Sequence, residues 1–69
     1  MEEFRLENSE YIELHSLLKV TQLCESGGGA KRVIADGAVS VDGIVELRKR
    51  CKIRKGQLVA FEKHRILVV

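Results

Sequence analysis

Apolar and polar residues recur along most of this chain at spacings that predict short helices and strands. The segment Phe4–Glu7 alternates with the period of a half-buried strand. Ser9 then offers a helix N-cap, with Glu10 and Glu13 in the first turn. The helix is expected to end between Val20 and Leu23. Its buried stripe, at helical spacing, is predicted to consist of Tyr11, Leu14, Leu17 and Leu18.

A second helix is predicted to begin at Ser26, whose hydroxyl can accept a hydrogen bond from the N–H of Gly28 or Gly29. Gly37 is expected to cap its C-terminus. The inward face is predicted to hold Ala30, Val33, Ile34 and Gly37. The three consecutive glycines allow two interpretations. They form a flexible loop between the helices, or their missing side chains let a phosphate or ribose approach the backbone.

The dipeptide Asp42-Gly43 lies between the alternating segments 39–41 and 44–46, and it predicts a two-residue hairpin because both turn positions must accept positive φ. Turns are also expected at Arg54–Gly56 and at Glu62–Arg65. The second of these joins the apolar runs 58–61 and 66–69 into a C-terminal β-hairpin. Two short amphipathic helices need a sheet to cover their apolar faces. The sequence therefore predicts an α+β fold, with both helices packed on a small antiparallel-rich sheet that contains residues 39–46 and 58–69.

Length and composition narrow the function classes. A chain of 69 residues with 45% hydrophobic residues and no proline predicts one folded domain, residues 1–69. Cys24 and Cys51 are too few and too far apart for a zinc site, and we expect no metal or other cofactor. A structural disulfide is possible in principle, but the lack of a signal peptide favours a reducing cytoplasm, where each cysteine is expected to be a buried or half-buried apolar filler. No signal-peptide pattern or membrane-spanning apolar run occurs. His15 and His64 are isolated histidines, so structural or surface roles are favoured over metal ligation. No catalytic arrangement of residues is recognisable, and we do not expect an enzyme.

Charge is distributed unevenly along the chain. The net charge is +2, but residues 1–30 carry −4 and residues 31–69 carry +6. The pair Lys31-Arg32 and the triplet Arg48-Lys49-Arg50, together with the exposed N–H groups of a helix start, are typical of a surface that grips phosphates. The alternative is a solvated surface of mixed charge. The few aromatic side chains are expected in the core, which favours recognition of RNA shape and phosphate over base stacking.

The run from Ser26 through Ala30-Lys31, Ile34, Gly37, Val39 and Val41 to Asp42-Gly43 resembles the αL motif of the RNA-binding domain named after ribosomal small-subunit protein four. Leu17-Leu18-Lys19 and Lys55-Gly56-Gln57 fit the same pattern. The Gly-Gly pair after the serine and the later Glu46-x-Arg48-Lys49-Arg50 resemble the small standalone bacterial members typified by the YbcJ-like proteins.

The resemblance implies a domain of the αL type that binds RNA through the face of the two helices and the adjoining turn. We expect this domain to be non-enzymatic, monomeric and cytoplasmic. Its expected partner is structured RNA, such as ribosomal or transfer RNA, and it is expected to act with the ribosome or with ribosome-assembly partners. Binding to a membrane is not expected. The binding surface carried over from the family consists of Ser26, Gly27, Gly28, Lys31, Arg32, Arg48, Lys49 and Arg50. Lys19 and Lys52 are either peripheral contacts or solvated charges. The competing hypothesis is a protein-interaction adaptor that docks a partner on its acidic N-terminal half.

Overall fold

The computed structural model describes residues 1–69 as two helices and seven short strands. The helices are α1 (Leu14–Val20) and α2 (Gly27–Ala35). The strands are β1 (Glu2–Phe4), β2 (Ile12–Glu13), β3 (Val39–Val41), β4 (Ile44–Val45), β5 (Lys52–Ile53), β6 (Leu58–Phe61) and β7 (His64–Val68). Five strands form one sheet in the order β1-β7-β6-β3-β4, and β2 pairs with β5 in a separate two-stranded ribbon. The predicted α+β fold is confirmed.

Antiparallel pairing dominates the five-stranded sheet, as predicted. Only β1 runs parallel to its neighbour β7, with Glu2 beside Ile66. The N-terminal strand, predicted at Phe4–Glu7, lies at Glu2–Phe4, so it begins two residues and ends three residues earlier than expected. Beyond β1 the N–H of Leu6 still donates to the carbonyl of Val69 at 2.8 Å, and Leu6 is buried. Glu7, with a φ of 58°, turns the chain away from the sheet.

Both predicted hairpins are present. Asp42 and Gly43 have φ values of 51° and 84°, as a turn with two left-handed residues requires, and Val41 pairs with Ile44. The Asp42 carboxylate also accepts a hydrogen bond from the N–H of Leu58 at 3.0 Å, which ties this turn to β6. The C-terminal hairpin is tighter than predicted. Its strands pair up to Phe61 and His64, and only two residues form the turn.

The start of α1 differs from the prediction. Ser9 does not cap it, and Tyr11 lies outside it, because the helix begins at Leu14 without a side-chain cap. Its first N–H groups are satisfied from a distant part of the chain. The N–H of Leu14 donates to the carbonyl of Cys51 at 2.9 Å, and that of His15 to Lys49 at 3.0 Å. The predicted end near Val20 is confirmed, as is full burial of the stripe formed by Leu14, Leu17 and Leu18.

The limits of α2 agree with the sequence signals. The three glycines form its first turn, so their interpretation as a flexible loop between the helices is wrong. Ser26 caps the N-terminus and its hydroxyl accepts the N–H of Gly29 at 3.1 Å. At the other end Gly37, with a φ of 80°, allows the chain to leave the helix. The N–H of Ala38 donates to Val33 at 3.1 Å and that of Gly37 to Ile34 at 3.0 Å, which is a Schellman motif. Such local bonding explains why this helix was predictable.

The core is entirely apolar and lies between the helices and the sheets. Its fully buried larger side chains are Leu14, Leu17, Leu18, Ile34, Val39, Ile53, Val59, Ile66 and Val68. Ala30 is also fully buried and Val33 is half-buried. Cys24 is buried and Cys51 half-buried, which confirms the predicted burial of these two side chains, and both are free thiols. Neither helix is long and apolar enough to cross a membrane.

Candidate nucleic-acid interface

The N-terminus of α2 presents an open stretch of backbone. A Cβ atom added at Gly27 would meet no heavy atom within 4 Å, and one at Gly28 would meet only the Ser26 hydroxyl at 3.9 Å. The Ser26 side chain already accepts the N–H of Gly29. The N–H groups of Gly27 and Gly28 belong to the first turn, where a helix has no internal acceptors. An anion can therefore approach these two amides without meeting side chains.

Lys31 and Arg32 follow on the same helix, and both are exposed. Neither forms an ion pair with a carboxylate. These two side chains together with Ser26, Gly27 and Gly28 are called the helix-start group below. The first five predicted site residues thus lie close together, on the N-cap and the first two turns of α2.

The three remaining predicted residues, Arg48, Lys49 and Arg50, lie in the loop 46–51 between β4 and β5, which is called the basic loop below. Its backbone is held against α1, because the carbonyls of Lys49 and Cys51 are the acceptors for the first N–H groups of that helix. The N–H of Cys51 donates to the carbonyl of Arg48 at 3.2 Å and closes a turn. All three cationic side chains are exposed. The loop is therefore fixed through its backbone while its charges face solvent.

Arg48 is paired with Glu46 in a two-pronged arrangement. Its Nε donates to Oε2 of Glu46 at 2.9 Å and its Nη2 to Oε1 at 3.0 Å, while the Arg48 backbone N–H also donates to Oε2 at 2.9 Å. These bonds lower the pKa of the Glu46 carboxyl from 4.5 to about 2, and they raise the pKa of the Arg48 guanidinium. The Arg48 side chain is still 77% exposed. The pair orients the guanidinium and leaves it accessible.

Arg50 is paired with a carboxylate from the other half of the chain. Its Nε donates to Oε2 of Glu13 at 3.1 Å, and Nε2 of His15 lies 2.9 Å from the other Glu13 oxygen. The hydrogen bond with His15, followed by the contacts with Arg50, lowers the pKa of the Glu13 carboxyl. The Arg50 side chain is 79% exposed. One acidic residue of the N-terminal half thus serves to position a cation of the basic loop.

The ribbon of β2 and β5 adds an aromatic side chain and two cations to this surface. Tyr11 was predicted in the buried stripe of the first helix, and Arg54 in a turn. The register of the ribbon pairs Ile12 with Ile53, both directed to the core side, and Glu13 with Lys52. One residue further along the same register, Tyr11 faces Arg54. The Lys52 ammonium lies 5.0 Å and the Arg54 guanidinium carbon 5.6 Å from the centre of the Tyr11 ring. These are cation–π distances.

The expectation that Tyr11 lies in the core is wrong, since the residue is 37% exposed. Tyr11, Lys52 and Arg54 are called the Tyr11 cluster below. The alternation of Tyr11-Ile12-Glu13 and of Lys52-Ile53-Arg54 is the period of two half-buried strands, and it could have revealed this face. The local helix signals at Ser9 and Glu10 concealed it.

A cleft of about 390 Å³ lies beside the basic loop and is lined by Arg48, Arg50, Cys51 and Lys52, the last of which also belongs to the Tyr11 cluster. Burial raises the pKa of the Cys51 thiol, so the charge of this cleft comes from its three cations. Lys19 lies apart from it and lines a second cleft with Gln22, Cys24 and Glu25. No hydrogen bond or ion pair joins the helix-start group to the basic loop, so their use by one ligand remains a prediction.

Comparison with known proteins places this architecture in a family. YbcJ of Escherichia coli (strain K12) is 51% identical over 69 residues, which cover 100% of this chain and 99% of YbcJ. The uncharacterized protein YbcJ of Shigella flexneri has the same identity and coverage.

The solution structure of YbcJ from E. coli, which reveals an αL motif involved in RNA binding, matches with a TM-score of 0.77 and covers 100% of this chain and 87% of that one. The family model of the S4 domain matches residues 4–69. The resemblance found in the sequence is confirmed, and the chain belongs to the S4 domain family.

Proposed function

We propose that this chain is a non-enzymatic RNA-binding module that grips the phosphates of structured RNA with two groups of residues. The first is the helix-start group and the second is the basic loop. The αL motif of YbcJ is involved in RNA binding, and that protein is 51% identical to this chain over its full length. Ribosomal and transfer RNA are the structured RNAs that we propose as partners.

The observation that carries this proposal is the construction of the basic loop. Its backbone carbonyls hold the start of α1, and two carboxylates orient its guanidinium groups, yet its cations stay exposed. A surface with such preordered cations loses little side-chain freedom when it binds a phosphate. Planar guanidinium groups also suit phosphate oxygens, which accept two parallel hydrogen bonds.

The placement of the two groups suits a single RNA. The basic loop lies at the N-terminus of α1, and the chain reaches α2 from the C-terminus of α1. Since α1 has seven residues, its two ends are about 10 Å apart at the usual rise of about 1.5 Å per residue. The whole molecule spans only 29 Å in its longest direction. One folded RNA is large enough to contact both groups at once.

Salt dependence of RNA binding tests this proposal. With about four phosphates neutralised, the logarithm of affinity should fall against the logarithm of salt with a slope of about −3 to −4. Changing Arg48 and Arg50 together to alanine should flatten this slope by about 1 to 2. The matched control is Lys63→Ala with Arg65→Ala, which removes the same charge from the C-terminal hairpin and should leave the slope unchanged.

A short RNA hairpin can serve as the probe for these titrations. An equal change of slope in both double variants would show that only net charge matters, which contradicts the proposed site. No binding at low salt would contradict the proposed function itself. Thermal unfolding should differ little between the two variants, because exposed substitutions usually cost less than about 0.5 kcal/mol.

A further inference from the structure

We propose that the Tyr11 cluster receives one unpaired RNA base, so that the preferred RNA carries a bulged or single-stranded nucleotide beside the phosphates held by the basic loop. This inference rests on the proposed function and narrows its RNA class. The juxtaposition that carries it is an exposed aromatic ring, two cations against that ring, and a cationic cleft that shares one of them.

Tyr11 is unusual among the three aromatic residues of this chain. Phe61 is buried and Phe4 is half-buried against the core, whereas Tyr11 as a residue is 37% exposed at the edge of the ribbon. The core-facing positions of the ribbon belong to Ile12 and Ile53. Tyr11 is thus available as a surface on which a base can stack, and unpaired bases commonly stack on such rings.

The two cations near the ring have the chemistry that a stacked nucleotide requires. The ribbon register, continued by one residue beyond its last pair, sets Arg54 opposite Tyr11 and Lys52 diagonally across from it, and both cations lie at cation–π distance from the ring. A guanidinium plane can itself stack on a base, and an ammonium group can pair with the phosphate of the same nucleotide. Neither cation has a carboxylate partner in an ion pair.

The neighbouring cleft offers a place for the adjoining phosphate. Lys52 lines this cleft and also lies over the Tyr11 ring, so base and phosphate sites meet at one side chain. Arg48 and Arg50 line the same cleft with guanidinium groups that Glu46 and Glu13 orient. A nucleotide that leaves an RNA stem can therefore place its base at Tyr11 while its backbone phosphates meet the basic loop.

The chain offers a direct reporter, because Tyr11 is its one tyrosine and it contains no tryptophan. We would titrate it with an RNA hairpin that carries one bulged uridine and with the same hairpin fully paired. Stacking should quench the tyrosine emission, after correction for RNA absorption, with the bulged hairpin only. The bulged hairpin should bind at least about fivefold more tightly than the paired hairpin. This factor corresponds to about 1 kcal/mol, the lower end of the range for stacking one base on an aromatic side chain.

Two variants separate stacking from a structural role of the ring. Tyr11→Phe keeps a stacking surface and should retain the preference for the bulged hairpin. Tyr11→Leu keeps apolar bulk, and it should lose the preference while binding the paired hairpin as before.

Equal affinity of the two hairpins for the unaltered protein, without quenching, would overturn the inference and leave the proposed function standing. An equal loss with both hairpins in Tyr11→Leu would also overturn it, whereas failure of both RNAs to bind the unaltered protein refutes the proposed function.

Discussion

The helix-start group and the basic loop carry similar charge but are built in opposite ways. The capping hydrogen bonds that shape the first are local, since Ser26 accepts from a residue three positions away and Gly37 ends the same helix. The second is assembled across the chain. Arg50 bonds to Glu13, 37 positions away, and the Cys51 carbonyl accepts from Leu14 at the same separation.

This difference has an energetic consequence. Local contacts at α2 can be altered one at a time, with effects close to those of an isolated helix cap. The basic loop depends on the packing of the ribbon and on α1, so changes beneath it should disturb the global fold. The following substitutions test this contrast, beginning with the largest expected effect.

Substituting Ile53 by alanine should cost about 2–5 kcal/mol of unfolding free energy. Ile53 is fully buried on the inner side of the ribbon, and its truncation leaves a cavity beneath the strand that follows the basic loop. Chemical denaturation measures this loss. A cost below about 1 kcal/mol would show that the ribbon is loosely packed, and the contrast between the two groups would fail.

Replacing Ser26 by alanine should cost about 1 kcal/mol, because it removes the acceptor for the N–H of Gly29. Ser9→Ala is the matched control. Ser9 caps no helix, so its change should stay within about 0.5 kcal/mol. Equal losses of stability in the two variants would show that Ser9 does act as a helix cap, as its sequence context predicts, and would contradict this account.

Gly28→Ala should raise the free energy of unfolding by less than about 1 kcal/mol, because that figure applies to a helix interior and Gly28 lies in the first turn. The added Cβ meets only the Ser26 hydroxyl, at 3.9 Å. If the glycines serve close approach of phosphate, the same variant should weaken binding of the RNA hairpin, and Gly28→Leu should weaken it further. Increased stability with unchanged binding would show that the missing side chains of the glycines do not serve the approach of phosphate.

The smallest expected effect concerns pH. The pKa of Glu46 is lowered from 4.5 to about 2 in the folded chain, so its pair with Arg48 stabilises the fold above pH 4.5. That contribution is lost as the pH falls from 4.5 towards 2. Glu46→Gln should therefore make denaturant midpoints less dependent on pH across this window. An unchanged pH profile would mean that the pair contributes nothing to stability.

Much of the fold could be predicted from the sequence because its signals are local. The turn at Asp42-Gly43 needs two left-handed residues, and α2 has both of its caps encoded within a few positions. The spacing of Leu14, Leu17 and Leu18 likewise predicted the buried stripe of α1. Each of these features follows from chain geometry over fewer than ten residues.

The candidate site was only partly predictable, for the same physical reason. The cations of the basic loop are visible in the sequence, but their carboxylate partners and the carbonyls that cap α1 depend on tertiary contacts. Ser9 and Glu10 give a local helix signal that these contacts override. Tyr11 was consequently assigned to a helix stripe, although the strand register places it on the exposed ribbon beside Lys52.

The central claim is that one RNA contacts the helix-start group and the basic loop together. The most direct test is an NMR titration of isotope-labelled protein with the bulged RNA hairpin, following backbone amides. We expect Gly27, Gly28 and Lys31 to shift with the same dissociation constant as Lys49 and Lys52, while Lys63 in the C-terminal hairpin stays unchanged. Shifts confined to one of the two groups, or centred on the C-terminal hairpin, would contradict the account.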